Sequence, residues 1–212
     1  MPRITQIKPQ VADPQRFNVY LDGKFGFALP AEILIKAGLK SGLDLTDEKV
    51  KQLIAKNDFQ KALDKTYRFV SLRPRSQKEV LDYLKRKKTD DQTTQKILTA
   101  LSSHNLLDDL EFAKWWLEQR ATFRPRGRQA LKFELLQKGI AKEIINQVLQ
   151  NQTPEDEYQS AFQTAQKYKT RHLTGPKSPQ PPQSPELRQK LTAHLARRGF
   201  SWDIIKRVLQ NL

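Results

Sequence analysis

Apolar residues recur along this chain in two rhythms. From about residue 59 onward they fall every three or four positions, the spacing of one buried helix face. The run LKFELLQKGIAKEIINQVL at 131–149 returns sixty positions later, without a gap, as LTAHLARRGFSWDIIKRVL at 191–209. The matched pairs are Leu131/Leu191, Leu135/Leu195, Gly139/Gly199, Ile144/Ile204, Ile145/Ile205, Val148/Val208 and Leu149/Leu209. Each copy is apolar on one face only, so a copy alone cannot bury its core, whereas stacked copies can. A weaker third copy aligns at an offset of 51, with Ala62 on Ala113, Arg73-Pro74-Arg75 on Arg124-Pro125-Arg126, Val80 on Leu131, Leu84 on Leu135 and Ile97-Leu98 on Val148-Leu149. The pattern predicts a mainly α fold: three tandem three-helix repeats in an elongated curved array, over residues 58–106, 107–152 and 153–212.

Helix starts are marked by capping signals. Ser76 precedes Glu79, Asp108 precedes Glu111, and Thr153 precedes Asp156 with Pro154 at the first helical position; Ser184-Pro185 and Ser201 open the last two helices. Residues 1–57 follow a different rhythm. Ile4–Val11, Phe17–Leu21 and Phe25–Leu29 are β-leaning, and Asp22-Gly23 between the last two is a type I′ hairpin signal. A small sheet of two or three strands is expected there. A short helix at Pro30–Ala37 capped by Gly38 follows it, then a second at Asp47–Ala55 with Thr46 as N-cap. The third repeat carries an insertion, LTGPKSPQPPQSP (173–185), with five of the twelve prolines. Proline lacks the N–H that a helix needs, so this reads as an exposed, tolerated loop, the alternative being a docking peptide for a proline-binding module.

Charge narrows the function. The net charge is +15 with pI near 10.0, which points to an anionic partner or one with an acidic surface. It concentrates in residues 56–107, with 12 basic against 6 acidic residues, and in 153–212, with 10 against 5. The chain has no cysteine, which excludes disulfides, thiolate metal sites and thiol nucleophiles. Neither a signal peptide nor a membrane-length apolar run is present, so a soluble cytoplasmic monomer is expected. No catalytic constellation forms. His104, His172 and His194 are scattered, with His104 complementing a helix dipole and His194 on a helix surface. Gly23 and Gly26 belong to a hairpin rather than a phosphate loop, and Asp90-Asp91 and Asp108-Asp109 serve as helix caps. No enzyme activity, cofactor, metal or small-molecule substrate is expected.

The basic residues form two recurring elements. Lys85-Arg86-Lys87-Lys88, Lys138 and Arg197-Arg198 mark the end of the second helix in each repeat. Arg73, Arg75, Arg124, Arg126 and Arg128 fall in the turn between the first and second helices, where proline fixes the backbone, and Arg120 and Lys132 flank it. Two readings stay open for these arginines: a strip that contacts a partner, or pairing with Glu or Asp of a neighbouring repeat. Of the adjacent Trp115 and Trp116 only one can face the core with Phe112, Ala113 and Leu117; Trp116 is assigned there, Trp115 is expected partly exposed as a partner anchor or as a packing surface between repeats, and Trp202 is expected to be similarly exposed.

The stretches RPRSQKEVLDYLKRK (73–87), LDDLEFAKWWLEQR (107–120) and RGRQALKFELLQKGI (126–140) resemble the RecX family of RecA-recombinase regulators. RFNVYLDGKFGFALPAEILIKAGLKSG (16–42) resembles the extension found in a subset of that family, and the Pro-rich insertion departs from its pattern. The resemblance implies a non-enzymatic protein that binds the groove of the RecA–DNA filament and limits its growth or promotes its loss. ATP hydrolysis, strand exchange and RecA-stimulated repressor cleavage are then inhibited. The alternative is a basic protein that acts directly on DNA through weak, non-specific contacts, since helix two, Gly139 and helix three resemble a helix-turn-helix.

Overall fold

The computed structural model of the chain describes residues 1–173 and 185–212; the Ser184 cap and all but the ends of the Pro-rich loop lie outside them. Its internal contacts divide it into two compact units, residues 1–71 with 84–99, and residues 72–83 with 100–212.

The N-terminal strands β1 (Ile4–Pro9), β2 (Arg16–Leu21) and β3 (Lys24–Pro30) form an antiparallel sheet in the order β1-β2-β3. Asp22 and Gly23 take φ of 48° and 78°, the double left-handed pair of a type I′ turn, so Leu21 pairs directly with Lys24. Ile4, Val19, Phe27 and Leu29 point from the sheet into a core completed by Ile33, Leu39, Leu45 and Leu53. Helix α1 (Ala31–Lys36) ends at Gly38, whose N–H reaches Ile35 O at 3.0 Å with φ +62°.

The helix expected over 47–55 does not stop there. Helix α2 runs unbroken from Asp47 to Ser71, with Thr46 Oγ1 accepting from Lys49 N–H at 3.2 Å as N-cap. No glycine or proline interrupts that stretch. Midway, buried Asn57 accepts from Arg16 Nη2 at 3.0 Å, which ties the helix to β2 where a loop was expected. The first helix of repeat one and the last helix of the N-terminal region are therefore one element.

The remaining helices follow the repeat pattern: α3 (Gln77–Arg86) and α4 (Asp91–Ser103); α5 (Asp109–Phe123), α6 (Arg128–Gln137) and α7 (Lys142–Gln150); α8 (Pro154–Leu173), α9 (Pro185–Arg197) and α10 (Trp202–Gln210). The matched positions are the core. Leu131, Leu135, Ile145, Val148 and Leu149 gather around Phe112 and Ala113, and Leu191, Leu195, Ile205 and Val208 gather around Ala161 and Ala165. Thr153 and Asp156 complete a reciprocal capping box at 2.9 and 3.1 Å, and Asp108 accepts from Leu110 and Glu111 N–H. Asp109 has a different role from its neighbour. Its carboxylate accepts Gln77 N–H at 2.9 Å and so caps α3, the second helix of the preceding repeat. Glu157 repeats the arrangement one step on, accepting Arg128 N–H at 3.0 Å at the start of α6.

The turn after each second helix has one geometry. Gly139 and Gly199 take φ of 80° and 79°, and the following amides close back on Leu135 O and Leu195 O at 3.1 and 3.4 Å. These glycines also receive the start of the preceding repeat's second helix. A Cβ on Gly139 would stand 2.7 Å from Lys78 Cβ, one on Gly199 would overlap Ala130, and one on Gly127 would overlap Gly199 O and Phe200 N. Ser76 Oγ donates to Lys138 O at 2.8 Å, and at the equivalent place Gly127 N–H donates to Arg198 O at 2.9 Å. Position 88, the same corner of repeat one, has no preceding repeat to receive and holds an exposed lysine with φ 57°.

Two substitutions separate backbone conformation from docking. Lys88→Gly relieves a left-handed lysine and should raise unfolding free energy by about 0.5–1 kcal/mol. Gly199→Ala adds both a left-handed side chain and an overlap with Ala130, and should lower it by more than about 2 kcal/mol. Urea denaturation of the two variants beside the parent chain measures both; equal and small effects would remove the docking role of Gly199.

Candidate partner-binding surface

Proline 74 and proline 125 follow the ends of α2 and α5, where the missing N–H stops the helix and turns the flanking arginines outward from its axis. In the first turn the guanidiniums converge on one carboxylate of α3. Glu79 lies 2.9 Å from Arg73 Nη1 and 3.9 Å from Arg75 Nη1, and it accepts from Arg73 Nη2 at 3.1 Å and from Lys138 Nζ at 2.6 Å. Burial pushes the Glu79 carboxyl up, but the hydrogen bonds from Arg73 and Lys138 and their charge outweigh it and hold it below the usual glutamate range. Arg75 is lowered by burial and by its like-charged neighbour Arg73.

The second turn uses a different carboxylate. Glu134 on α6 accepts from Arg120 Nε at 2.7 Å and Trp116 Nε1 at 2.9 Å through Oε2, and its Oε1 lies 3.4 Å from Arg126 Nε. Arg120 also stands over the Trp116 ring, 4.4 Å from its centre, and Lys138 Nζ lies 5.0 Å from the same ring.

The expected strip thus divides. Arg73, Arg75, Arg120, Arg126 and Lys138 are half-buried and held by Glu79 or Glu134. Lys85, Arg86, Lys87, Lys88, Arg124, Arg128, Lys132 and Arg197 are exposed. Arg198 is half-buried, donating to Pro125 O at 3.2 Å and to His194 Nε2 at 3.1 Å. His194 is therefore not the surface side chain expected; it accepts from Arg198 and lies 4.5 Å from the Tyr168 ring. Trp115 is half-buried, tilted against Phe112 and beneath Arg73 at 5.2 Å, while Trp202 is 56% exposed. The apolar residues at the surface were not singled out from the sequence. Phe123 and Phe133 are 74% and 61% exposed beside Arg124 and Lys132, and their departure from the Leu/Ala core period was the available signal.

Helix α7, the would-be recognition helix, buries Ile145, Val148 and Leu149 and leaves Lys142, Glu143, Asn146, Gln147 and Gln150 outward. Among the described residues no three His, Cys, Asp or Glu side chains converge as metal ligands, and no helix is long and apolar enough to cross a membrane.

Four family models match the chain in order: the regulatory protein RecX N-terminal domain over residues 2–46, and the first, second and third three-helix domains of RecX over 62–101, 108–149 and 155–209. A regulatory protein RecX of Bacillus licheniformis is 33% identical over 99% of this chain and 77% of its own length. One of Bacillus subtilis is 31% identical over 100% and 78%, and one of Listeria welshimeri 29% over 96% and 73%. A crystal structure of a regulatory protein RecX superposes with a TM-score of 0.69 at 24% identity, covering all of both chains. That of RecX from Lactobacillus salivarius gives 0.60 at 23% identity over 74% of this chain and 97% of its own, and both likenesses concern the fold.

The Glu79 cluster sets a pH dependence. A carboxylate with a depressed folded pKa stabilises the fold fully above its unfolded value, about 4.3, and loses that contribution as pH falls through the folded value. Glu79→Gln should cost about 2 kcal/mol near neutral pH, because Arg73 and Lys138 keep their burial without their counter-charge. The gap between parent and variant should close on acidification below about pH 4.3. Denaturation midpoints at several pH values check this, and a gap independent of pH would show that Glu79 acts through packing alone.

Proposed function

The chain belongs to the RecX family of regulatory proteins, and from that premise we propose that it is a negative regulator of RecA. It binds the groove of the RecA–DNA filament and inhibits the filament's ATPase, strand-exchange and coprotease activities, without catalysis of its own. The observation that carries this reading is a displayed surface on the second repeat. Arg124, Arg128 and Lys132 are exposed beside exposed Phe123 and Phe133, and among the described residues these three cations enter no ion pair. Exposed apolar side chains next in sequence to unneutralised cations suit a partner surface that is acidic and partly apolar. The helices that carry them are anchored by Glu134, Glu157 and the contact of Gly127 with Gly199, so little ordering is required on binding.

Direct action on DNA is the second reading. The charge favours it, but α7 commits Ile145, Val148 and Leu149 to the core and offers few groups to base edges. DNA contact is therefore taken as weak, salt-sensitive and secondary to the protein contact.

The separating experiment follows the DNA-dependent ATPase of RecA filaments with substoichiometric amounts of the full chain. Inhibition should persist at a salt concentration that removes the chain's own DNA binding; inhibition lost in step with DNA affinity would favour the second reading. Combined reversal of Arg124, Arg128 and Lys132 to glutamate should weaken filament binding roughly tenfold to a hundredfold with an unchanged denaturation midpoint. Full inhibition by that folded variant would place the contact elsewhere.

A further inference from the structure

The repeats allow one turn to be compared with its sister. At the offset of 51, Arg73 and Arg75 correspond to Arg124 and Arg126, and Glu79 corresponds to Ala130. At the offset of sixty, Lys138 corresponds to Arg198. In the first turn, Arg73, Arg75 and Lys138 surround the Glu79 carboxylate at 2.9, 3.9 and 2.6 Å. The second turn has all three cations but alanine at 130, and of the three only Arg126 meets a carboxylate among the described residues, Glu134 of α6 at 3.4 Å.

Among the described residues no carboxylate pairs with Arg124 or Arg198, and Glu134 reaches only Arg126 of the three. Arg198 is fixed against the turn by its bond to Pro125 O at 3.2 Å and by Gly127 N–H on its own carbonyl at 2.9 Å. Its surroundings are positive: after burial, the causes that depress its guanidinium are Arg126, Arg124 and Arg171 of α8. Among the described residues Arg124, Arg171 and Arg198 pair with no carboxylate. Arg126 Nε is buried and makes no hydrogen bond, standing 3.4 Å from a Glu134 whose other oxygen already serves Arg120 and Trp116. A buried guanidinium N–H without an acceptor is an unfilled position.

We propose that Arg124, Arg126 and Arg198, with Arg171 beside them, form a seat for one acidic side chain of a partner protein. The incoming carboxylate takes the position that Glu79 fills in the sister turn. A carboxylate is the group the arrangement fits, since the same three positions hold one in the first turn, and alanine at 130 lacks only the carboxymethyl group that glutamate carries beyond Cβ. The seat rests on the reading of the chain as a protein-binding regulator and supplies its chemistry: an aspartate or glutamate of the filament docking between turn and corner.

The experiment restores the missing group within the chain. In the full protein, Ala130→Glu should close on Arg124, Arg126 and Arg198, raise the denaturation midpoint, and lower affinity for an oligoglutamate peptide and for RecA filaments by about tenfold each. Arg124→Gln, at an exposed position, should lower both affinities in the same direction without raising the midpoint. If Ala130→Glu does not fold, this second variant decides alone. Unchanged affinity for both probes in the folded variants overturns the seat. A loss confined to oligothymidylate, with oligoglutamate binding intact, also overturns it, since the site would then take phosphate. Seat and function fail separately. Oligoglutamate binding that depends on residue 130, without filament inhibition by the parent chain, leaves the seat and removes the RecA reading. Inhibition that survives in Ala130→Glu does the opposite.

Discussion

The close backbone approach at Gly139 and Gly199 is the constraint on which the repeat architecture rests. Each glycine meets two demands at once. The chain must reverse through a left-handed residue after the second helix, and the preceding repeat must set the start of its own second helix against that same residue. The approach is short enough for direct bonds, Ser76 Oγ to Lys138 O in one case and Gly127 N–H to Arg198 O in the other. Buried helix N-termini need partners for their amides, and here the partners are carbonyls and acids of the next repeat, among them Asp109 and Glu157. Lys88 isolates the two demands. Its turn has the same hydrogen bonds, with Thr89 N–H on Leu84 O at 3.1 Å, and it manages without glycine where only the conformation is required.

Docking by backbone fixes where charge can go. Two Arg-Pro-Arg turns and two basic corners are brought together in a chain with a large cationic excess. The half-buried carboxylates Glu79 and Glu134 each hold more than one cation, and their pairs are strengthened by exclusion from water. Exposed pairs such as Lys36–Glu32 or Lys114–Glu111, though short at 2.6 Å, are screened by solvent and contribute little by comparison. Apart from half-buried Arg198, which bonds Pro125 O and His194, the turn and corner cations left after Glu79 and Glu134 are engaged are exposed, so the division between structural and displayed cations follows largely from the supply of carboxylates.

That division also explains what the sequence could and could not disclose. Asp22-Gly23, the Gly38 cap, the capping box at Thr153 and the core positions of both copies depend on residues within a few positions of one another, and each is legible from spacing. The continuation of α2 through Asn57 depends on Arg16, a partner 41 residues away. The inward turn of Lys138 depends on Glu79, 59 residues away, and the burial of His194 on Tyr168 across the fold of repeat three. Asp109 looked like a second cap of its own helix because its true partner, the amide of Gln77, lies in another repeat. The arginine strip was posed from the sequence as partner contact or pairing with acids of a neighbouring repeat; in the structure Arg73, Arg75, Arg120 and Arg126 pair instead with Glu79 and Glu134 of their own repeats, and among these cations only Lys138 reaches an acid of another.

Duplicated scaffolds separate these roles in a way a single domain does not. Positions that agree between repeats carry packing and docking: the leucines of the second helix, the glycine of the corner, the proline of the turn. Positions that differ are released from that duty, and Glu79 against Ala130 is the sharpest case near the charged turns. The two approaches also differ in detail, since Gly199 receives Ala130 and Gly127 whereas Gly139 receives Lys78. The first turn is closed on itself, with its guanidiniums committed to stability. The second has no acid at 130, and its stability rests on Glu134 and on the glycine contact. Between two turns with matched cations, a single exchange of Glu for Ala is therefore enough to change how many guanidiniums meet a carboxylate.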